Sequence, residues 1–536
     1  MGKSGKVVFK RYEQNKIELL PASYEELIPP GHLVRLVNTG IDQMNLEGLL
    51  NEYKGGGTSS FHPKMLVKII VYSYTQRIYS SRQIAKALRE NIYFRWLSGS
   101  NEPDFRTINR FRSCRLKQQI DQVFASMIKI LHELGMVSLD NYFLDGTKIE
   151  ANANRYSFVW KKTVGKQKEK LEQKIIKEIL DYADKINEEE ENKYGDKDLE
   201  EMGEGVKIDS NLLEEKIKEL NEKLKEIAND PERKRKEEEK ELERKKKKIE
   251  KDYLERLKRY EDQGELFKGR NSFSKTDPDA TFMRMKEDQM RNGQLKAAYN
   301  VQIGTENQFI LGYTIHQRPG DTGTLIPHMK EIKKNLGITP KRIITDAGYG
   351  SQENYEYLES QEIEAYVKYN MFEKEQKRNY KPDPFKAENM KYNELEDKFI
   401  CANNRELEYS QTESYKTENG YETERRIYKS KNCKGCKLKA SCYKGSLSKQ
   451  IKVSHELMRH RKQAKERLES PMGRQLSSQR FMDTEPVFGQ IKYDRGFKRF
   501  TMRGKEKVHL EFGLISLAHN FMKLHACQSP NNLRPS

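Results

Sequence analysis

The first 140 residues show the hydrophobic spacing of short, packed helices. Pro63 can start a helix, because proline suits the first helical position. Apolar residues then recur at the spacing of one helical face: Met65, Leu66, Ile69, Ile70 and Tyr74. Ser80 and Ser81 offer an N-cap for a second helix, and Asp104 can cap a third. The pattern predicts an all-helical N-terminal domain over residues 1–140.

The third predicted helix carries several arginines, among them Arg106 and Arg110. Two short helices followed by such a helix resemble a helix-turn-helix, whose last helix enters the major groove of DNA. A three-helix bundle with a basic, solvated face would show the same pattern. DNA contact by Arg106 and Arg110 is therefore one of two interpretations of this domain.

Two short apolar runs further along the chain lead into an aspartate. The sequence Tyr-Phe-Leu precedes Asp145, and Ile-Ile-Thr precedes Asp346. Such runs, followed by a glycine-containing turn, are typical of buried strands. Between them, residues 297–317 form two strand-like runs around Gly304–Asn307, which predicts a β-hairpin. We expect both aspartates at strand ends, where a rigid strand holds a side chain that the turn leaves free.

Between about 161 and 270 the composition changes to mostly charged residues. A series of apolar positions spaced four and three residues apart is typical of a coiled-coil seam: Leu213, Ile217, Leu220, Leu224 and Ile227. In residues 231–250, only Pro231, Leu242 and Ile249 are uncharged. We predict a helical, partly coiled-coil insertion, and we interpret its charge run as a solvated face rather than a binding site.

The stretch 371–450 is polar, and its pattern predicts irregular structure; the chain from about 455 onward is predicted to be helical. The stretch contains Cys433, Cys436 and Cys442, and the first two have the spacing of a zinc knuckle. A structural zinc site needs four ligands, so Cys401 is the expected fourth and His455 a poorer one. Three reduced thiols in a basic loop are the alternative interpretation.

The overall amino-acid composition indicates which class of molecule the protein binds. Of the 536 residues, 35% are hydrophobic and 34% are charged, and the net charge is +18. A basic excess of this size favours a polyanionic partner, usually nucleic acid, although it also serves solubility alone. No run approaches the ~20 apolar residues of a membrane span, and the N-terminus lacks the apolar stretch of a secretory signal. Together with the uneven cysteine spacing, this predicts a cytoplasmic protein.

Carboxylates at strand ends suit Mg²⁺, a hard cation that binds oxygen. Two such ions about 3.5–4 Å apart can drive in-line phosphodiester chemistry. Two acids rarely suffice for two metals, so a third should come from elsewhere in the chain. Either aspartate taken alone would more simply cap a turn.

The chain also resembles a known family over nearly its whole length outside 161–270. The resemblance is to bacterial insertion-sequence DDE transposases of the eleven-eighty-two family. It is carried by LDGTKIEANANR, TDPDATFMR, AAYNVQIGTEN, RIITDAGYGS, EPVFGQIKYDRGFKRFTMRGKEKVHLEFGLISLAHN and, nearer the N-terminus, FHPKMLVKIIVYSYTQRIYSSRQIAKALREN. Matching wording in so many separate blocks is far more specific than any single Asp-Gly pair.

The resemblance implies an α/β fold: a ribonuclease-H-like mixed sheet with helices, beside the all-α N-terminal domain and the helical insertion. The catalytic domain would comprise 141–160, 271–370 and 451–526, interrupted by the insertion 161–270 and the cysteine-containing insertion 371–450. In such a bacterial protein the chain would be nucleoid-associated and would act on double-stranded DNA, as a homodimer.

The resemblance also implies the metal ligands. Asp145 and Asp346 become the first two ligands of two Mg²⁺ or Mn²⁺ ions. The third acid belongs to a helical signature of Arg, Glu and then Lys seven residues after the Glu, which Glu485 and Lys492 fit. The arginine departs from the pattern, because Phe481 stands at its position and Arg480 lies one place off. The alternatives for the third acid are Glu469, Asp483 and Asp494. Since Pro486 follows Glu485, we expect this residue near a helix start.

Further residues are assigned to DNA by the resemblance and by charge. A dense basic run after Glu485 suits phosphate contacts: Lys492, Arg495, Lys498, Arg499 and Arg503. Asp277 and Asp279 are either additional acids of the site or a loop-forming pair. The implied activity is binding of terminal inverted repeats, cleavage at the element's ends and joining of the 3′-hydroxyls to target DNA. A nuclease of the same fold, or a transposase-derived DNA-binding protein without strand transfer, is the alternative.

Overall fold

The computed structural model of the chain describes residues 23–53, 60–194, 209–228, 244, 247–285, 293–337, 339–417, 419–443, 445 and 448–528. The chain divides into two units, one made of Met1–Val137 with Phe512–Ser536 and the other of Ser138–Glu511. The catalytic domain that the resemblance implies, with 451–526 as its last part, stays a prediction. Each unit is described by itself below.

The first unit is helical. Its helices are α1 (Tyr24–Leu27), α2 (Leu33–Gln43), α3 (Glu47–Asn51), α4 (Pro63–Thr75), α5 (Ser81–Glu90), α6 (Ile92–Leu97), α7 (Phe105–Arg110) and α8 (Lys117–Glu133). Pro63 occupies the first turn of α4, and the Asp104 side chain accepts a hydrogen bond from the Thr107 N–H at the start of α7, as the sequence predicts. Ser80 takes the N-cap position of α5 without a side-chain hydrogen bond.

The C-terminal residues pack into this helical unit for a steric reason. A Cβ added at Gly40 of α2 would lie only 2.5 Å from the Phe521 ring, so the glycine admits the aromatic side chain against the helix backbone. Phe521 is itself 1% exposed. The burial of this ring holds residues from Phe512 onward in the helical unit.

The second unit is built on a six-stranded mixed sheet. The strands of this part of the chain are β1 (Asn141–Glu150), β2 (Phe158–Trp160), β3 (Ser272–Ser274), β4 (Thr281–Arg284), β5 (Leu295–Glu306), β6 (Phe309–His316), β7 (Arg342–Thr345) and β8 (Glu364–Val367). β5 pairs antiparallel with β4, β6 and β1, whereas β7 pairs parallel with both β1 and β8. β2 and β3 form a separate two-stranded ribbon.

The predicted β5–β6 hairpin is confirmed, but its turn lies further along the chain. β5 continues to Glu306, and the turn is formed by Asn307 and Gln308, both with positive φ. Two successive positive φ values are typical of the tight turn that matches strand twist. Gly304 therefore lies inside the strand and not in the turn.

The helices of this unit include those that pack against the sheet and those in the described parts of the segment 161–270. They are α9 (Lys161–Tyr194), α10 (Ser210–Ala228), α11 (Leu254–Phe267), α12 (Leu325–Leu336), α13 (Gln352–Ser360), α14 (Phe372–Glu375), α15 (Lys439–Cys442), α16 (His455–Glu469), α17 (Pro471–Gly489) and the beginning of α18 (Lys505–Gln528). Pro486 lies inside α17, so the expectation that Glu485 stands near a helix start was wrong. Among the residues placed by the structure, no helix is long and apolar enough to cross a membrane.

The insertion 161–270 is helical where it is described and has a hydrophobic core of its own. Leu171 and Ile175 of α9 pack in one cluster with Leu213 of α10 and Leu257 of α11. The side chains of Leu220, Leu224 and Ile227, and most of the charged run 231–250, lie outside the described residues. The coiled-coil seam therefore stays a prediction.

The expectation of irregular structure over 371–450 was wrong. A five-stranded antiparallel sheet is formed by β9 (Lys391–Asn393), β10 (Lys398–Ile400), β11 (Glu406–Lys416), β12 (Glu422–Ser430) and β13 (Gln450–Val453), in the order β13-β12-β11-β10-β9. Its core includes Phe399, Leu407 and Tyr428. Much of β11 is exposed on both faces, so its sequence lacks the alternation by which a strand is usually predicted.

Gly304 in β5 is a position where the sheet tolerates no side chain. An added Cβ would lie 1.7 Å from Tyr142 Cζ, and the Tyr142 hydroxyl is fixed by its hydrogen bond with His328 Nε2 (2.8 Å). We expect Gly304→Ala to lower the free energy of unfolding by about 3 kcal/mol, the cost of overpacking a rigid core. Urea unfolding checks this. Gly165→Ala in α9 is the control, since no atom lies within 4 Å of its added Cβ; it should be neutral or stabilising by up to ~1 kcal/mol. Equal destabilisation by the two changes would contradict the prediction.

Candidate active site

Asp145 and Asp346 lie beside each other on the central sheet. β1 and β7 run parallel, with Phe143 opposite Ile344, so that the aspartate two positions beyond each of these residues falls at the same level. Asp346 directly follows β7, as predicted. Asp145 does not end its strand, because β1 continues to Glu150 along β5. Asp145 lies just beyond the last residue of β1 that pairs with the parallel strand β7. One side of β1 therefore has no neighbouring strand at this point, and the two carboxylates lie there.

One guanidinium bridges these carboxylates. Arg480 of α17 places Nη2 3.0 Å from Asp145 Oδ2 and 3.9 Å from Asp346 Oδ2. Its side chain is 7% exposed, and its buried Nε has no hydrogen-bond partner among the described residues. Each aspartate also accepts a local backbone N–H: Gly146 N lies 2.7 Å from Asp145 Oδ1, and Gly348 N lies 2.9 Å from Asp346 Oδ1. The fold thus brings Asp145 and Asp346 together around one cation, the guanidinium of Arg480.

A third acid, Asp321, lies at the same place and was missed by the sequence analysis. Its Oδ1 accepts hydrogen bonds from Asn300 Nδ2 (2.8 Å) and Gln302 Nε2 (3.0 Å), both on β5. Its Oδ2 lies 3.6 Å from the point where a Cβ on Gly348 would stand, and Asp346 Oδ1 lies 3.0 Å from that point. No local signal could have found it, because Asp321 follows Pro-Gly in a loop and its neighbours come from distant strands.

Tyr349 is buried near the three acids. Its side chain is completely buried and donates a hydrogen bond to Gln302 Oε1. Burial raises the pKa of the Tyr349 phenol well above its usual value. The negative charges of Asp321, Asp145 and Asp346 raise this pKa further, and Arg480 opposes them. Tyr349 therefore stays a neutral donor beneath the acidic cluster.

Glu485, the predicted third acid, is exposed on α17. Of the alternatives, Asp483 is 3% exposed and accepts the Gln308 N–H (3.0 Å), so it holds the β5–β6 turn. Within the described part of the chain, no group of three or more His, Cys, Asp or Glu is arranged to hold a metal ion.

The predicted basic residues differ in their exposure. Lys492 and Arg495 are buried (6% and 5% exposed), whereas Lys498, Arg499 and Arg503 lie at the surface. Arg499 donates to the carbonyls of Ala151 (3.2 Å) and Ala153 (2.8 Å), and Arg503 donates to Asn152 O (2.8 Å). The exposed cations therefore sit over the segment that follows β1. In the helical unit, Arg106 and Arg110 are exposed on α7.

Asp277 and Asp279 bind backbone and side-chain donors ahead of α18. Asp277 is 1% exposed, accepts the Tyr299 hydroxyl (3.0 Å) and accepts the Gly504 N–H (3.2 Å). Burial raises its pKa above the usual value. Asp279 Oδ2 accepts the Lys505 N–H (2.9 Å) at the start of the helix. These contacts favour the loop-forming interpretation of this pair.

The four cysteines named above line one pocket beside the five-stranded sheet: Cys401, Cys433, Cys436 and Cys442. Arg405 joins the two segments that carry them, because its guanidinium donates to Asn432 O (2.6 Å) and Lys434 O (3.2 Å). Burial raises the pKa of Cys442, and the neighbouring Cys401 and Cys433 raise it further. His455 lies elsewhere, with Nε2 2.7 Å from the Tyr428 hydroxyl.

Burial would raise the pKa of Cys433 as well, yet hydrogen bonds outweigh it. The Lys449 N–H lies 3.3 Å from the Cys433 sulfur, and the hydroxyls of Ser430 and Ser448 also act on it. Together with Arg405 they hold the pKa below its usual value, which favours the thiolate.

Two family models match separate parts of the chain. Residues 22–114 match the Transposase domain (DUF772), and residues 400–525 match the Transposase DDE domain. The matched domains indicate a transposase. More particularly, they are consistent with an insertion-sequence DDE transposase, the class that the sequence resembles. No curated protein and no solved structure matches the chain.

We expect loss of the Arg480 ion pair to destabilise the protein. Arg480→Met keeps the apolar stem but leaves Asp145 and Asp346 without their shared cation. We expect the free energy of unfolding to fall by about 2 kcal/mol, less than for a fully buried pair because Asp346 is 38% exposed. The control is Arg474→Met, an exposed arginine on the same helix, which should be nearly neutral. Chemical denaturation in the absence of divalent ions measures both; equal stability of the two variants would refute the role of Arg480.

Proposed function

We propose that the protein is a DNA transposase that cleaves the ends of its insertion sequence and joins them to target DNA. The single observation that carries this is the pairing of Asp145 with Asp346 at the open side of β1, in a chain whose two matched domains are transposase domains. The strand order β6-β5-β1-β7-β8, with β1, β7 and β8 parallel, supports a ribonuclease-H-like core.

The residues at the site fit a hard divalent cation. Their donors are carboxylate oxygens, and the cluster already draws the guanidinium of Arg480 into its centre. DDE transposases generally use divalent metal ions. When bound, two Mg²⁺ or Mn²⁺ ions activate the attacking oxygen and stabilise the leaving oxygen of the phosphodiester. We propose Asp145 and Asp346 as ligands, with Glu485 as the acid that the family signature supplies.

The remaining residues position the acids and the DNA. Tyr349 donates a hydrogen bond to Gln302 on the buried side of the acidic cluster. Arg480 keeps the two carboxylates together before a metal ion binds. We restrict the proposed phosphate contacts of this unit to Lys498, Arg499 and Arg503, because Lys492 and Arg495 are buried. Arg106 and Arg110 of α7 remain the proposed contacts of the helical unit. A homodimer on the two transposon ends is part of the same proposal.

A nuclease with the same site but without strand transfer is the second proposal, and the acids alone favour neither. A transposase-derived protein that only binds DNA is disfavoured, since Asp145, Asp346 and Glu485 are all present. The two enzymatic proposals separate when pre-cut ends with free 3′-hydroxyls are supplied, because only a transposase joins them to a target.

The catalytic proposal is tested on a DNA fragment that carries the element's own ends, in the presence of Mg²⁺. We expect Asp346→Asn to slow end cleavage by about a hundredfold or more, the effect of losing several kcal/mol of transition-state stabilisation. Asp262→Asn, an exposed acid on α11, is the matched control and should cleave like the wild type. Wild-type rates for Asp346→Asn would exclude this metal site.

We also propose that the four cysteines close around a structural Zn²⁺ ion when it binds, although their present spacing among the described residues is not that of a metal group. Zinc in structural sites takes four ligands, and thiolates are among its preferred ones. Four thiols from two segments line one pocket, and Arg405 ties the segments together. The hydrogen bonds to Cys433 favour the thiolate that a metal ion requires.

The zinc proposal predicts one metal ion per chain after purification under reducing conditions without chelator. Elemental analysis should find zinc in the wild type and lose most of it in Cys433→Ser. Cys114→Ser and Cys527→Ser are the controls, because both thiols are exposed and away from the pocket, and these variants should retain zinc. A metal-free protein with all four thiols titratable in the native state would overturn the site.

A further inference from the structure

The two faces of the β2–β3 ribbon have different surroundings. Val159 and Phe273, which pair with each other, are buried in the hydrophobic cluster of the insertion 161–270. Side chains alternate between the faces of a strand, so Phe158 and Trp160 lie on the other face, where they are 36% and 37% exposed. Tyr156, just before β2, is 83% exposed, and the ring centroids of neighbouring members are 6.4 Å apart. Tyr156, Phe158 and Trp160 thus form a row of exposed rings, the aromatic stripe.

The stripe is supported from the protein side. The ring of Phe282 on β4 is 6% exposed, and its centroid lies 4.5 Å from that of Phe158 and 6.1 Å from that of Trp160. The indole N–H of Trp160 and the hydroxyl of Tyr156 make no hydrogen bond with any described residue. The rings are therefore held in place, which lowers the entropic cost of binding a ligand, while their polar ends are available to it.

The surroundings of the stripe are basic and lack acidic residues. Neither 151–168 nor 266–276, the segments that contain β2 and β3, has an aspartate or a glutamate. Arg155, Lys161 and Lys275 make no ion pair with any described residue. The exposed cations of the two segments are Arg155, Lys161, Lys162, Lys166, Lys268 and Lys275. Exposed rings among unpaired cations match the chemistry of a nucleic acid, whose bases stack on rings and whose phosphates attract cations.

The stripe lies on the same face of the central sheet as the paired aspartates. Phe282, which contacts the stripe, pairs with Ala297 of β5, and Asp145 pairs with Ile303 of the same strand. Cross-strand partners share a face, and Ala297 and Ile303 are an even number of positions apart. At the rise of a β-strand, these six positions correspond to about 20 Å. The stripe is thus within reach of a DNA strand bound at the aspartates.

Surface arginines connect the two places. The segment 151–155 joins β1 to the stripe, and Arg499 donates to the carbonyls of Ala151 and Ala153. Arg503 donates to the carbonyl of Asn152. Both arginines belong to the proposed phosphate contacts of this unit. A DNA strand that follows them away from Asp145 therefore arrives at the stripe.

The form of DNA that fits the stripe follows from the geometry of stacking. In a duplex each base already stacks on its neighbours, so that a protein ring reaches only base edges, sugars and phosphates. The face of a base becomes available where the strand is unpaired. A row of rings is therefore of use to single-stranded DNA and of little use to an intact duplex.

We propose that the aromatic stripe binds unpaired bases of a DNA strand near the cleavage site by stacking, with Trp160 as one of its platforms. The inference rests on the proposed function, since that function supplies the DNA strand. It adds a site for single-stranded DNA to a unit whose other proposed contacts are phosphate contacts.

The first test uses tryptophan fluorescence. The chain has two tryptophans, Trp96 and Trp160, so Trp96→Phe leaves Trp160 as the only reporter. The probes are an oligothymidine of about eight nucleotides and a blunt duplex of the same length, the latter with phosphates but without unpaired bases. Titration is done without divalent ions, so that no cleavage occurs. We expect the oligothymidine to quench Trp160 and the blunt duplex to leave it nearly unchanged.

The second test separates stacking from a general apolar contact. Trp160→Leu keeps an apolar side chain but removes the ring, and we expect its affinity for labelled oligothymidine to fall by about fivefold to a hundredfold. Trp160→Tyr keeps a ring and should retain most of the affinity, and neither change should alter binding of the blunt duplex. Tyr409→Leu is the matched control, because it removes a ring that is 47% exposed on the five-stranded sheet. Fluorescence anisotropy of the DNA measures all three.

The contrary outcomes are equally defined. Wild-type affinity of Trp160→Leu for oligothymidine would overturn the stripe as a stacking site, and so would an equal loss for oligothymidine and blunt duplex. Shielding of Trp160 that depends on protein concentration and not on DNA would assign the stripe to a second copy of the chain, which also overturns the inference. Should Trp160→Leu unfold, the quenching experiment decides, because it leaves the stripe unaltered.

Failure of the proposed function would be seen elsewhere. Wild-type end cleavage by Asp346→Asn would exclude the metal site, whereas this variant should still show quenching of Trp160 by oligothymidine, because Asp346 is not part of the stripe. Loss of quenching with intact dependence of cleavage on Asp346 would overturn the stripe and leave the function standing.

Discussion

Repulsion between carboxylates is the constraint on which the second unit depends. Parallel pairing of β1 with β7 places Asp145 and Asp346 at one level, and β5 supplies the amides that hold Asp321 nearby. Like charges at this spacing oppose folding unless a cation or a hydrogen-bond donor faces them. Arg480 meets this need from α17, so this helix is held against the sheet by the same carboxylates that we propose as metal ligands. Fold and site are therefore coupled through one ion-pair network.

Much of the scaffold follows from local patterns, because those patterns reflect forces between neighbours in sequence. The cap of Asp104, the start of α4 at Pro63 and the β5–β6 hairpin all depend on residues within a few positions of each other. The same holds for Asp346, since its strand and turn are contiguous. The five-stranded sheet escaped prediction because much of β11 is solvated on both faces, and without a buried side the sequence shows no alternation.

The site was predictable only in part, for a reason of distance along the chain. Asp321 gains its position from Asn300 and Gln302, about twenty residues earlier, and from a glycine after β7. The spacing of hydrophobic residues along the chain carries no information about such a contact between a loop residue and an earlier strand. Glu485 illustrates the opposite difficulty, because a family signature names the residue while α17 leaves it exposed in the DNA-free chain. Signatures describe which residues take part, whereas the resting geometry depends on charges that a bound nucleic acid or metal ion would change.

The β2–β3 ribbon has a consequence for how this chain tolerates changes of length. Phe158 pairs with Ser274, and the Lys275 N–H donates to Ser157 O (2.9 Å). The two ends of the insertion 161–270 are therefore joined by backbone hydrogen bonds. The chain between them has its own apolar cluster and closes a loop whose entropy changes slowly with length. The ribbon therefore closes the base of the insertion, and we expect a change in the length of the helical segment to be absorbed beyond these two short strands, without displacing the central sheet.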